Sequence, residues 1–142
     1  MKKIAIVSLF VILVLSPFVL ASEFKVYPGA KMDEKATKEA QEAAMAAKMS
    51  NVKATIYTTK DSFQKVASFY KGIAKEHMMP RASGTSGKPR KSDLFEGDLW
   101  EAYFIFDGAK DLASSKLWVK VQRPYIGEDV RDVTAIVVSE KK

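Results

Sequence analysis

The stretch Asp61–Met78, DSFQKVASFYKGIAKEHM, has the strongest amphipathic pattern in this chain. Its apolar residues recur at helical intervals, so that a helix carries them on one face. Asp61 and Gln64 have the spacing of a capping box, and Thr59 is a second candidate for the N-cap. The pattern predicts a helix over about Ser62–Met78 whose apolar face packs on a hydrophobic partner. That face consists of Phe63, Val66, Ala67, Tyr70, Ile73, Ala74 and Met78.

Segments of alternating apolar and polar residues supply that partner. Val52–Thr58 precedes the helix, and Leu99–Phe106, Lys116–Arg123 and Val130–Val138 follow it. Alternation of this kind is typical of strands with one buried side. The last three segments are joined by short turns, which favours an antiparallel meander. We therefore expect an α+β fold, in which an antiparallel sheet of about four strands carries the amphipathic helix on one face.

An additional alanine-rich helix is predicted over about Asp33–Met49. Asp33 is a suitable N-cap. Alanines at helical spacing form a narrow face that another element can approach closely. We expect this N-terminal helix to lie beside the amphipathic helix or at the sheet edge. The alanines of this face are Ala36, Ala40, Ala43 and Ala47.

Residues 1–21 have the three-part layout of a secretory signal peptide. Two lysines precede the apolar run Ile4–Leu20, and Val19 and Ala21 occupy the −3 and −1 positions of a cleavage site. We expect cleavage after Ala21 and a periplasmic or extracellular location. The alternative is that the apolar run is kept as a membrane anchor, because its length is at the lower limit for a spanning helix.

Composition narrows the chemistry of the remaining chain, residues 22–142, which is long enough for a single domain. The whole chain has a net charge of +6, no cysteine and one histidine. Without cysteine there is no disulfide and no thiol nucleophile. With a single histidine, one chain cannot build a tetrahedral zinc site from nitrogen and sulfur ligands. No cofactor is expected.

Residues 80–92, PRASGTSGKPRKS, predict a basic surface loop because they are rich in glycine, proline and serine. Its cations suit an anionic surface, such as phospholipid headgroups, an acidic glycan or a partner protein. Trp118 is out of phase with the buried residues of its strand, so it faces the second side of the sheet. There it either binds a sugar or a partner, or lies under the N-terminal helix. The candidate binding residues are Arg81, Lys88, Arg90, Lys91 and Trp118.

His77 supports one alternative function, a small hydrolase. It could act as a general base with a loop serine, Ser83 or Ser86, or a carboxylate pair could supply the acid and base. The acidic residues near turns are Glu96 with Asp98, Asp107 with Asp111, and Glu128 and Asp129 with Asp132.

Metal handling is a second alternative. Thioether and imidazole groups suit Cu(I) or Ag(I), and exported proteins meet such ions. The candidate ligands are His77, Met78 and Met79, with Met45 and Met49 on the N-terminal helix. Methionine is also a common filler of hydrophobic cores, which explains Met78 without a metal.

Two segments resemble a pattern in small exported bacterial proteins of uncharacterised function. The first is Val26–Ala30, VYPGA, and the second is Tyr57–Phe63, YTTKDSF, followed by Val66 and Phe69–Lys71. The resemblance covers about half of residues 22–142. It implies an exported domain with a helix on a sheet, and it carries no catalytic residue across.

These observations favour a non-enzymatic binding or interaction module of the cell envelope. The expected partner is an anionic envelope component or a protein, since nucleic acid is not expected outside the cell. Contact with a membrane is expected only through residues 1–21, if they are not removed.

Overall fold

The computed structural model of the chain describes residues 23–49, 51–78 and 88–142. Within these residues the chain forms two helices and nine strands. In chain order they are β1 (Lys31–Met32), α1 (Glu34–Ala46), β2 (Val52–Thr59), α2 (Phe63–Lys71), β3 (Lys75–His77), β4 (Arg90–Lys91), β5 (Asp98–Ile105), β6 (Leu117–Arg123), β7 (Tyr125–Ile126), β8 (Val130–Arg131) and β9 (Thr134–Lys141).

The expected α+β fold with about four strands is wrong, because the protein is mainly sheet. Seven strands form one antiparallel sheet in the order β1-β2-β9-β6-β5-β3, with β4 also paired to β5. β7 and β8 form a separate hairpin. The strands that the sequence did not predict are only two or three residues long. Alternation needs about four residues to be visible, so such strands leave no pattern.

The amphipathic helix α2 is shorter than expected. Its N-cap is Ser62, whose hydroxyl accepts a hydrogen bond from the Lys65 N–H at 3.2 Å, and it ends at Lys71 before Gly72. Glycine weakens a helix because it has the most backbone freedom to lose. Residues 75–77, expected as the last helical turn, form β3 and pair with β5 instead.

The main core lies between α2 and one face of the sheet. Tyr70 is completely buried there, and its hydroxyl donates to the Lys25 carbonyl and accepts from the Tyr27 N–H. Burial of each large apolar side chain contributes roughly 1.5–3 kcal/mol. The buried residues are Phe63, Val66, Ala67 and Tyr70 of α2, with Ala102, Phe104, Phe106, Val119, Val121, Ile136 and Val138 of the sheet and its loops.

The alanine-rich helix α1 lies on the opposite face of the sheet, not beside α2. As predicted, Asp33 is its N-cap and accepts a hydrogen bond from the Ala36 N–H at 2.9 Å. Ala36 is completely buried and packs with Ile56 and Ala135. α1 contacts β2 more extensively than any other strand. The same face of the sheet therefore continues beyond α1 toward β6 and β5.

Several sequence predictions lie outside the described residues. These are the signal peptide with its cleavage site after Ala21, and loop residues 79–87 with Met79, Arg81, Ser83 and Ser86. In the described part of the chain, neither helix has the length and the continuous apolar surface that crossing a bilayer requires.

Candidate functional site

One row of side chains crosses the sheet on the face that carries α1. Strand register aligns Ile56, Val137, Lys120, Tyr103 and His77 in five adjacent strands. Directly opposed residues of antiparallel strands project from the same face, with Cβ atoms roughly 4.5–5.5 Å apart. Lys120 therefore lies between an aliphatic and an aromatic neighbour, near the middle of the sheet.

A cavity of about 530 Å³ lies over this row, between α1 and the β7–β8 hairpin. Small and aliphatic side chains of α1, β2 and β9 form its apolar wall, and Lys120 and Gln122 of β6 form its floor. Its size is in the range of pockets for small organic ligands. The lining residues are Glu39, Ala40, Glu42, Ala43, Ile56, Lys120, Gln122, Tyr125, Ile126, Gly127, Glu128 and Val137.

Lys120 is the only cation among these lining residues. Burial lowers the pKa of Lys120, the nearby Glu101 carboxylate opposes that shift, and Arg90 adds to it. Glu101 is itself held by the Arg90 guanidinium at 3.3 Å. Within the described ranges, Lys120 forms no ion pair or hydrogen bond, and no buried side-chain nitrogen or oxygen lacks a hydrogen bond. The Lys120 nitrogen is therefore not fully buried, and its side chain lines the cavity.

Gln122 completes the floor and has a structural role. Its side-chain amide donates a hydrogen bond of 3.1 Å to the Pro124 carbonyl. This bond fixes the end of β6 just before the hairpin that forms one wall of the cavity.

Tyr125 joins the hairpin to α1. Its hydroxyl donates a hydrogen bond of 3.1 Å to the Glu39 carboxylate. Burial, followed by this hydrogen bond, raises the pKa of Tyr125 to about 12, so the phenol stays protonated. Gly127 lies against both groups, because a Cβ atom built there would be 2.5 Å from Glu39 Oε2 and 2.7 Å from the Tyr125 ring. Only glycine fits this position without moving the wall.

The rim of the cavity is acidic. Glu42 is exposed and lies three residues after Glu39, on the same side of α1. Glu128 forms an exposed ion pair with Lys35 at 3.4 Å. A cation at the floor and three carboxylates near the rim thus give the cavity two regions of opposite charge.

The predicted basic loop is not a patch of free cations in its described part. Arg90 pairs with Glu101, and Lys91 pairs with Asp98 at 2.9 Å. Lys88 is exposed. Two of the three described cations are therefore balanced by acids on β5.

Trp118 lies on the same sheet face as Lys120 and precedes it by two residues. It is half-buried, and its ring centroid is 6.2 Å from that of Tyr103. Trp118 is outside the set of lining residues. The structure thus places Trp118 on the face that the sequence predicted, but not in the cavity wall.

The hydrolase alternative that pairs His77 with Ser83 or Ser86 is not tested, because both serines lie outside the described residues. His77 lies on the edge strand β3, opposite Tyr103. The acidic side chain near it, Asp111, accepts a hydrogen bond of 2.6 Å from the Ser114 hydroxyl. That bond lowers the pKa of Asp111 most, and His77 contributes less. A serine–histidine–aspartate triad needs the imidazole between hydroxyl and carboxylate, whereas the Ser114 hydroxyl is bonded directly to the Asp111 carboxylate.

The acidic residues near turns have structural roles. Asp107 accepts hydrogen bonds from the Ser115 hydroxyl at 2.7 Å and from the Lys116 N–H at 2.6 Å. Asp132 pairs with Arg123 at 3.1 Å. Turn chemistry and ion pairs therefore account for Asp107 and Asp132.

The helix α1 methionine Met45 does not converge with His77, whereas Met79 lies outside the described residues. Met45 belongs to α1, which packs on β2, whereas His77 belongs to β3, four strand positions away. At about 4.8 Å per strand, this separation is roughly 19 Å. In the described ranges, histidine, aspartate and glutamate form no group that could hold a metal ion.

Sequence reasoning missed Lys120, Glu39, Tyr125 and Gly127. One signal was present, since the alternation of Lys116–Arg123 puts Lys120 on the second face beside Trp118. A lysine inside an otherwise apolar strand is a feature that needs an explanation. The other residues come from separate parts of the chain, and only the packing of α1 against the hairpin joins them.

Comparisons of the chain with protein-family models, with curated proteins and with solved structures find no match. The assignment of function therefore depends on the cavity and on the residues that line it.

Proposed function

We propose that this protein is a non-enzymatic binding module of the cell envelope, and that its ligand occupies the cavity beside Lys120. The observation that carries the proposal is a half-buried lysine, without an ion pair in the described residues, that lines a cavity of about 530 Å³ with an apolar wall. The leader-like layout of residues 1–21 and the resemblance to small exported proteins support the envelope location.

The cavity favours a small ligand with an apolar body and an anionic group. An apolar body replaces water against Ala40, Ile56 and Val137. An anionic group compensates the Lys120 charge, which is costly to bury without a partner. The proposed partner is thus still anionic, but its proposed binding site is the cavity and not the basic loop.

Binding is favoured over catalysis by the chemistry of the lining. Tyr125 is the only hydroxyl-bearing residue among the lining residues, and its raised pKa makes it a poor nucleophile. Its hydroxyl is already engaged with Glu39. Lys120 is therefore best used as a fixed cation that orients a ligand.

Calorimetry with a matched pair of ligands tests the proposal. The purified protein is titrated with 4-methylpentanoate and with 4-methyl-1-pentanol, which has the same carbon skeleton without the charge, and then with aliphatic carboxylates of increasing length. The variant Lys120→Met removes the charge and keeps an unbranched side chain. Lys116→Met, at an exposed position next to the start of the same strand, is the control.

We expect carboxylates to bind the native protein and Lys116→Met equally, and Lys120→Met at least about tenfold more weakly, or about 1.4 kcal/mol. The alcohol should bind weakly to all three proteins. The proposal is overturned if no carboxylate binds, or if Lys120→Met binds carboxylates as well as the native protein does.

A further inference from the structure

The cavity carries charges of both signs, so an anionic group alone does not complement all of them. Lys120 lies on the sheet side, whereas Glu39 and Glu42 lie on α1 and Glu128 follows the hairpin strand β7. An aliphatic monocarboxylate satisfies Lys120 but brings a second negative charge toward the acidic rim. An aliphatic amine satisfies the rim but meets the cation on the floor.

The carboxylates of α1 have unused capacity to accept hydrogen bonds. Glu39 receives one from Tyr125, whereas a carboxylate has about four acceptor sites. Glu42 is exposed and is three residues from Glu39, a spacing at which like charges repel on a helix. A cation held between them relieves this repulsion.

Glu128 is held only by an exposed ion pair with Lys35. Such pairs contribute roughly 0–1 kcal/mol, so they are easily rearranged. The hairpin side of the rim therefore keeps its negative character when a ligand approaches.

We infer that the ligand is a zwitterion with an apolar side chain, either an α-amino acid or a short peptide with a free amino end. Its carboxylate pairs with Lys120, its ammonium group with Glu39 and Glu42, and its side chain packs on Ile56 and Val137. This inference rests on the proposed function, because it assigns the second charged group of the same ligand.

Three ligands that share the isobutyl side chain of leucine test it by calorimetry. Leucine carries both charges, 4-methylpentanoate lacks the ammonium group, and 3-methylbutylamine lacks the carboxylate. Dileucine distinguishes a peptide from a free amino acid. The variants are Lys120→Met and Glu42→Gln, with Glu34→Gln as the control, since Glu34 is also exposed on α1 but does not line the cavity.

We expect leucine or dileucine to bind about tenfold more tightly than either singly charged ligand. Glu42→Gln should weaken zwitterion binding severalfold and leave 4-methylpentanoate unchanged or tighter, whereas Glu34→Gln should change neither. The inference is overturned, with the proposed function intact, if 4-methylpentanoate binds as tightly as the zwitterions and Glu42→Gln has no effect. If carboxylate ligands also bind Lys120→Met as tightly as the native protein, the proposed function fails as well.

Discussion

The Tyr27 hydroxyl donates a hydrogen bond of 2.7 Å to the Asp61 carboxylate, although 34 residues separate them. The Tyr27 ring also packs edge-on against Phe69, with centroids 5.4 Å apart. These three residues belong to the two segments Val26–Ala30 and Tyr57–Lys71 that the sequence analysis singled out. Their contacts tie the turn before β1 to the start and the last turn of α2. The two segments therefore have a structural role, because their contacts hold the turn against the helix.

Tyr27→Phe should lower the free energy of unfolding by about 1 kcal/mol, because it removes a half-buried hydrogen bond and keeps the ring. Urea denaturation monitored by circular dichroism measures the change. Tyr57→Phe is the matched control, since Tyr57 is also half-buried and its ring packs on Phe24. An equal loss in both variants would show that the hydroxyl of Tyr27 has no special role.

Asp33→Asn should destabilise the protein by about 1 kcal/mol at neutral pH, through loss of the ion pair with Arg131 at 2.6 Å. Asparagine is an equally good N-cap, so the cap itself is kept. The Ala36 N–H and, after it, Arg131 hold the pKa of Asp33 below its ordinary value. The ionised Asp33 carboxylate therefore adds its full contribution to the free energy of unfolding above the unfolded-state pKa of about 4. This contribution is lost as the pH falls through the lower folded-state pKa. The difference from the native protein should therefore shrink below about pH 4. A difference that is constant down to pH 2 would contradict the ion pair.

Lys120→Met should stabilise the ligand-free protein by about 1 kcal/mol, because a poorly compensated charge leaves the interior. The lowered pKa of Lys120 means that its cationic form opposes folding at neutral pH. This penalty is present below the folded-state pKa and disappears as the pH rises to the unfolded-state pKa. Native and variant stabilities should thus converge in alkaline solution. Lys116→Met, at an exposed site, should change stability by less than about 0.5 kcal/mol. Destabilisation by Lys120→Met at neutral pH would disprove this account of the charge.

Gly127→Ala should weaken ligand binding, because the added methyl group displaces Glu39 and Tyr125. Amide chemical shifts of α1 and of the hairpin should change, while those of α2 stay constant. Gly72→Ala is the control, since its Cβ would meet the Phe69 and Ser68 carbonyl oxygens at 3.4 and 3.9 Å, which is ordinary contact, and its backbone is helical. Ligand binding is measured by calorimetry. If Gly127→Ala binds the ligand as tightly as the native protein does, the hairpin wall is not part of the ligand site.

The long helices and strands could be predicted from the sequence because their apolar residues recur at regular intervals. The alternation in Leu99–Phe106 and Lys116–Arg123 corresponds to β5 and β6, displaced by about one residue. Val130–Val138 starts too early, since β9 begins at Thr134. The sheet size could not be read, because β1, β3 and β4 form only where tertiary contacts place a few residues beside a longer strand. Apolar residues 73 and 74 continued the helical period past Gly72, which concealed the change from helix to strand.

The candidate cavity was less predictable than the elements around it. Lys120 could be assigned to the second sheet face from phase alone. The contact between Tyr125 and Glu39 spans 86 positions, and no local pattern encodes so distant a pair. A site of this kind depends on how α1 and a short hairpin come together, and that is decided by packing rather than by periodicity.

Within the described residues, the sheet is bordered by β1 on one side and by β3 and β4 on the other, each of two or three residues. Lys31, Lys75 and Lys91 lie on these short borders. Brief strands that carry positive charge offer a second molecule few unpaired backbone groups and repel an identical copy. The short, charged edges thereby disfavour edge-to-edge aggregation between copies of the protein.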